Sequence, residues 1–122
     1  MDRIIDNWHF EVDKDATAHY SAQELSENCQ CEDCLHFYRH VEHAYPSLRA
    51  FLDSFGVELF APESMITYNC KTYTEHSLAY LVYGRIVKFG DSAIKTDHTL
   101  ITAEHVDDEI FYLTFSVMLP SK

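Results

Sequence analysis

The run Trp8-His9-Phe10-Glu11-Val12-Asp13 alternates apolar and polar positions. Trp8, Phe10 and Val12 then share one face of an extended segment, and His9, Glu11 and Asp13 share the other. This predicts a half-buried strand. The stretch Lys14 to Asn28 is polar and poor in β-branched residues. Within it, Ser21-Ala22-Gln23-Glu24-Leu25 suggests a single helical turn, with Ser21 as the cap and Glu24 completing a capping box.

From Cys31 to Tyr45 the period becomes helical. At about 100° per residue, Cys34, Phe37, Tyr38, Val41 and Tyr45 fall on one arc. Glu32, His36, His40 and His43 fall on the opposite arc and are expected to face solvent. Pro46 suits the first turn of a second helix, where its missing N–H is not needed. Leu48, Phe51, Leu52 and Phe55 then form an amphipathic stripe. Gly56 is placed to end that helix as its left-handed C′ residue.

Beyond Gly56 the pattern turns to β. Thr67 to Thr74 carries Tyr and Thr at strand-like density. Ser77 to Phe89 is apolar on both faces and reads as a central strand, with a bulge or bend at Gly84. Gly90-Asp91-Ser92 reads as a turn, Thr99 to Val106 as a shorter strand, and Asp107-Asp108-Glu109 as a solvated turn. Ile110 to Leu119 alternates again, with Phe111, Leu113, Phe115, Val117 and Leu119 on one face. Strands joined by short turns usually pair antiparallel. The expected fold is therefore α+β: residues 1–122 as a single domain, with an antiparallel sheet of about four to five strands packed by an N-terminal helical pair.

Composition supports a self-sufficient core: 47% of the 122 residues are hydrophobic and 14% are aromatic. The formal net charge of -11 disfavours nucleic acid and anionic membranes as partners. It suits solubility, or a basic protein partner. No stretch approaches a membrane span, and the N-terminus has no basic segment followed by an apolar run. We therefore expect a cytoplasmic protein, whose four cysteines serve as thiols, metal ligands or redox groups rather than structural disulfides.

Cys29-Gln30-Cys31-Glu32-Asp33-Cys34 places three thiols at a predicted helix start. Helix N-termini favour thiolate, and a CxxC pair chelates zinc. Cys29, Cys31 and Cys34 are thus candidate metal ligands. A closed structural site needs a fourth, and Cys70 or a histidine of the β half is the available source. The plainer alternative is Cys34 as a small core residue, with Cys31 at the cap and Cys29 in the loop. Redox chemistry is disfavoured by the charges of Glu32 and Asp33 between the thiols. A second candidate pair, His36 and His40, has the i, i+4 spacing that lets two imidazoles share an ion. No glutamate follows His36 as the HExxH motif requires, so this pair suits an adventitious ion on a solvated face.

An ordered set of features runs through most of the chain: Cys29-x-Cys31-x-x-Cys34 followed by Phe37-Tyr38, Pro46-x-Leu48 with Phe51-Leu52 and Phe55-Gly56-Val57, Pro62-Glu63, Tyr80-Leu81-Val82-Tyr83-Gly84, and the ending Phe115-Ser116-Val117-x-Leu119-Pro120. In this the chain resembles a family of small uncharacterised bacterial proteins. The family pattern commonly has Asn two residues after the last Cys, where this chain has His36. The resemblance implies a free-standing domain and carries no activity, substrate or cofactor.

With no nucleotide-binding loop, nucleophile elbow or EF-hand pattern, the leading expectation is a non-enzymatic binding or protein-interaction module, inhibitor-like or toxin-neutralising and metal-associated through the cysteines. The alternatives are a small zinc-dependent or thiol-based enzyme using the same stretch, and a structural subunit forming a homodimer through a β edge.

Overall fold

Ile5 pairs with Trp8 across a two-residue turn in which Asp6 takes φ 54, joining β1 (Asp2–Ile5) to β2 (Trp8–Val12). The computed structural model describes residues 1–122. Three helices follow: α1 (Lys14–Ser26), α2 (Glu32–Ala44) and α3 (Leu48–Asp53). Then come β3 (Ser64–Asn69), β4 (Tyr73–Lys88), β5 (Ile94–Thr96), β6 (Thr99–His105) and β7 (Ile110–Pro120).

All pairings are antiparallel, in the order β1-β2-β4-β7-β6-β5, with β3 also on β4. The sheet has seven strands rather than four or five, and three helices cover it rather than two. Two of the added strands are short edges. β1 is half exposed along its length, and β5 has three residues. Neither carries the run of alternating apolar residues that announces a buried strand.

The 16-residue β4 organises the sheet. Its first half pairs with β7 on one side and β3 on the other, and beyond Tyr83 its second half pairs with β2 on the edge β3 has left. The change of partner falls at Gly84, with φ +149. A Cβ there would lie 2.1 Å from the Glu11 carbonyl oxygen, so only glycine permits the approach. The bend expected at Gly84 is thus where one strand serves two neighbours.

One face of the sheet meets the helices. Phe10, Leu78, Tyr80, Val82, Phe111, Leu113 and Val117 from the strands pack with Phe37, Val41, Leu48, Leu52 and Phe55. The helical stripes of α2 and α3 are therefore buried as expected. After α3, Gly56 takes φ +86, the Gly56 N–H donates to Asp53 O (2.9 Å) and the Val57 N–H to Leu52 O (3.0 Å). These paired bonds close a helix C-terminus. Pro46 lies in the turn just ahead of α3 rather than in its first turn.

The helix α1 is thirteen residues long where one turn was expected. Asp13 caps it, accepting from the Ala16 N–H at 3.0 Å. The residues it buries are Thr17 and Ser21, both polar. The Thr17 hydroxyl accepts from the Tyr83 N–H (2.9 Å) and Ser21 from the Glu58 N–H (2.8 Å). α1 thus docks by satisfying backbone donors of the strand and loop beside it, and such a helix shows no apolar period.

Candidate metal centre

The link between α1 and α2 carries the three neighbouring cysteines. Cys31 is the N-cap of α2, and its Sγ accepts from the Cys34 N–H at 3.5 Å. The Sγ of Cys29 accepts from the Cys31 N–H at 3.4 Å. Tyr38, nearly two turns into the helix, donates its hydroxyl to Cys29 O at 2.9 Å and ties the loop back. The three Sγ atoms all lie within 4.8 Å of one another. Tetrahedral zinc with bonds of about 2.3 Å sets its sulfurs roughly 3.8 Å apart. Side-chain rotation of about an ångström would close the set on an ion, so Cys29, Cys31 and Cys34 lie close enough to hold one.

The electrostatics divide the thiols. The Cys34 N–H is the main influence drawing Cys31 below its ordinary pKa, and Cys29 adds to it. Burial, then the neighbouring Cys29 and Cys31, pushes Cys34 up to about 12. Burial, then Cys34, pushes Tyr38 up to about 12 as well. The thiolate is therefore favoured at exposed Cys31 over Cys34, which stays protonated. A bound cation reverses this, because it offsets the repulsion between thiolates and displaces their protons.

The cysteines form one wall of a cavity of about 370 Å³. Tyr38, Phe60, Met65 and Thr67 contribute to the other walls, and Glu24, Glu27 and Glu63 stand at its rim. Cys70 sits in the exposed turn between β3 and β4 and is not in the group, and neither is any histidine. Asp33, at the first turn of α2, is paired with Lys122.

The expectation of a solvated histidine face holds for His43 and fails at His36, which is 5% exposed. His36 turns toward the sheet and meets His76, a fully buried residue of β4. His36 Nε2 lies 2.8 Å from Pro120 O, which only accepts, so this nitrogen carries a proton. With both rings neutral, His36 Nδ1 then accepts from His76 Nε2–H at 3.0 Å, and His76 Nδ1 accepts from the Thr67 hydroxyl at 2.9 Å. All four ring nitrogens are satisfied. His36 keeps no lone pair for an ion beside His40, although the two rings are 4.8 Å apart. The i, i+4 pair is therefore not a metal site in this arrangement. Burial is the first cause, and His36 the second, that holds His76 down at about 4. Nothing in the local sequence around His76 distinguished it from the other scattered histidines, because its partner lies forty positions away.

No family model, curated protein or solved structure matches the chain, so every role given to these residues rests on their geometry and chemistry.

Proposed function

We propose that this protein is a metal-associated binding domain in which Cys29, Cys31 and Cys34 hold one zinc ion and leave a coordination position facing the adjoining cavity. One observation carries the reading: three sulfurs converge at a capped helix start, two of them already accepting backbone N–H bonds. Such bonds favour thiolate, and thiolates select zinc or another soft ion over magnesium or calcium. Thr67 lines the cavity and its hydroxyl donates to His76 Nδ1 at 2.9 Å, but burial holds His76 down at about 4, too weak a base for general-base work near neutral pH, and this favours binding over catalysis.

The test is elemental analysis of tag-free protein purified without chelator. The expected result is close to one equivalent of zinc, lost in Cys31→Ser and Cys34→Ser and retained in Cys70→Ser. Less than about 0.2 equivalents, not raised by added zinc, would overturn the reading.

The acidic rim supports a second component, a basic partner. Glu24, Glu27 and Glu63 border the cavity and none of them is in an ion pair. A thiol-based enzyme is the competing reading, favoured by the exposed and acidified Cys31. Alkylation rates across pH separate the two. Enzyme chemistry predicts fast modification at Cys31 that persists in zinc-loaded protein, whereas a metal site predicts that zinc protects it.

A further inference from the structure

The sheet has three edges with free backbone groups, and two of them are blunted. β1 carries Asp2 and Arg3, and β5 has three residues including Lys95. The third is β3, Ser64-Met65-Ile66-Thr67-Tyr68-Asn69, which has neither charge nor proline. Edge strands left in this state are templates for another strand, and natural sheets usually protect them. β3 bonds to β4 alone.

Its outward groups can be assigned. The Cys70 N–H donates to Tyr73 O at 2.9 Å, the narrow pair at the hairpin mouth. Hydrogen-bonded pairs alternate along an antiparallel ladder. Tyr68, Ile66 and Ser64 therefore point their backbone groups at β4, while Met65, Thr67 and Asn69 point theirs outward. None of these three has a backbone partner outside the β3–β4 ladder.

This open edge borders the cysteine cavity, since Met65 and Thr67 line it. A strand laid along β3 would project alternate side chains toward that cavity, where Glu24, Glu27 and Glu63 have no cation. Its other side chains would lie beside Ile66 and Tyr68, which are 58% and 51% exposed.

We propose that β3 is a docking edge for an extended basic segment of a partner protein, which adds a strand antiparallel or parallel to β3 and sets alternate Lys or Arg side chains into the acidic rim. Backbone pairing would provide affinity and the alternate side chains specificity. Charge selects this occupant over a second copy of the chain: each copy carries a net charge of -11, and pairing two β3 strands would bring two acidic rims together. The inference rests on the rim as a binding surface, as read above, and does not require the metal.

The experiment uses the full chain labelled with ¹⁵N, zinc-loaded and chelator-treated, titrated with a blocked octapeptide alternating lysine and valine. The expected result is amide shifts centred on Met65, Thr67 and Asn69, with slowed hydrogen exchange at all three. Methylating the peptide's backbone nitrogens should weaken binding more than about tenfold, since it removes several hydrogen bonds. Replacing lysine by glutamate in the peptide should abolish binding. The Glu24→Gln/Glu27→Gln variant should weaken it about threefold for each carboxylate removed. Equal binding of the N-methylated peptide, shifts confined to another surface, or protection of these amides that grows with protein concentration in the absence of peptide would each overturn the proposal. Peptide binding that survives chelation, in a protein that takes up no zinc, would remove the metal reading and leave this one standing.

Discussion

His76 shows how much one side chain depends on its surroundings. It has no exposed surface, and its two nitrogens are taken up by His36 and Thr67. Protonating it would put the new proton on Nδ1, turn the Thr67 hydroxyl from donor to acceptor, and leave a charged imidazolium with no access to water. Burial therefore holds it at about 4, while an unfolded histidine titrates near 6.5. Between those values the unfolded chain binds the proton and the folded one does not. Stability from this group is complete above about pH 6.5 and declines as pH falls toward 4, by roughly 3 kcal/mol in all. Urea unfolding at pH 7, 6, 5 and 4.5 measures this. His76→Gln should lower stability at pH 7 and flatten the slope between pH 6.5 and 4.5. An unchanged slope in the variant would assign the effect to other groups.

At the scale of elements, legibility followed the chemistry each one buries. β2 and β7 were readable from alternation because each is buried along one face, from Trp8 to Val12 and from Phe111 to Leu119. α2 and α3 were readable from their stripes. α1 was not, because it contributes hydroxyls rather than methyls to the interior. Thr17→Val keeps the volume of that side chain and removes the acceptor of the Tyr83 N–H. The expected cost is about 1–3 kcal/mol, the penalty for a buried donor left unmet. Ser21→Ala does the same to the Glu58 N–H. Denaturant midpoints of the two single variants check both, and near-wild-type midpoints would mean that α1 is held by something other than these bonds. The cysteine link was readable as a motif, and its convergence depends on the caps of α2 and on the Tyr38 tie to Cys29.

For the whole molecule, the dominant long-range term is its charge. Twenty acidic residues against nine basic ones leave -11, and only three Lys or Arg residues, Arg49, Arg85 and Lys122, are in ion pairs. Self-repulsion opposes the compact state and is screened by salt. The melting temperature should therefore rise by a few degrees between low salt and about 0.3 M sodium chloride, where the screening length drops below about 10 Å. A melting temperature independent of salt would show that the acidic groups are already compensated in the fold. The same screening should weaken a basic partner at the β3 edge, so stability and binding are expected to respond to salt in opposite directions. No helix is long and apolar enough to cross a membrane.

What the amino-acid order alone determined is everything that repeats at a backbone period. The strand faces of Trp8–Val12 and Phe111–Leu119, the helical stripe from Phe37 to Phe55, the left-handed stop at Gly56 and the bend at Gly84 are all local consequences of side chains spaced to meet one surface. Tertiary structure decided what no period encodes: that β4 exchanges β3 for β2 along a single edge, that a polar helix docks through Thr17 and Ser21, and that His36 leaves the solvent for His76. In each case a hydrogen-bonding group finds a partner far away in the chain. Such a match needs only one residue on each side, so it leaves no pattern to read until the backbone brings the two together.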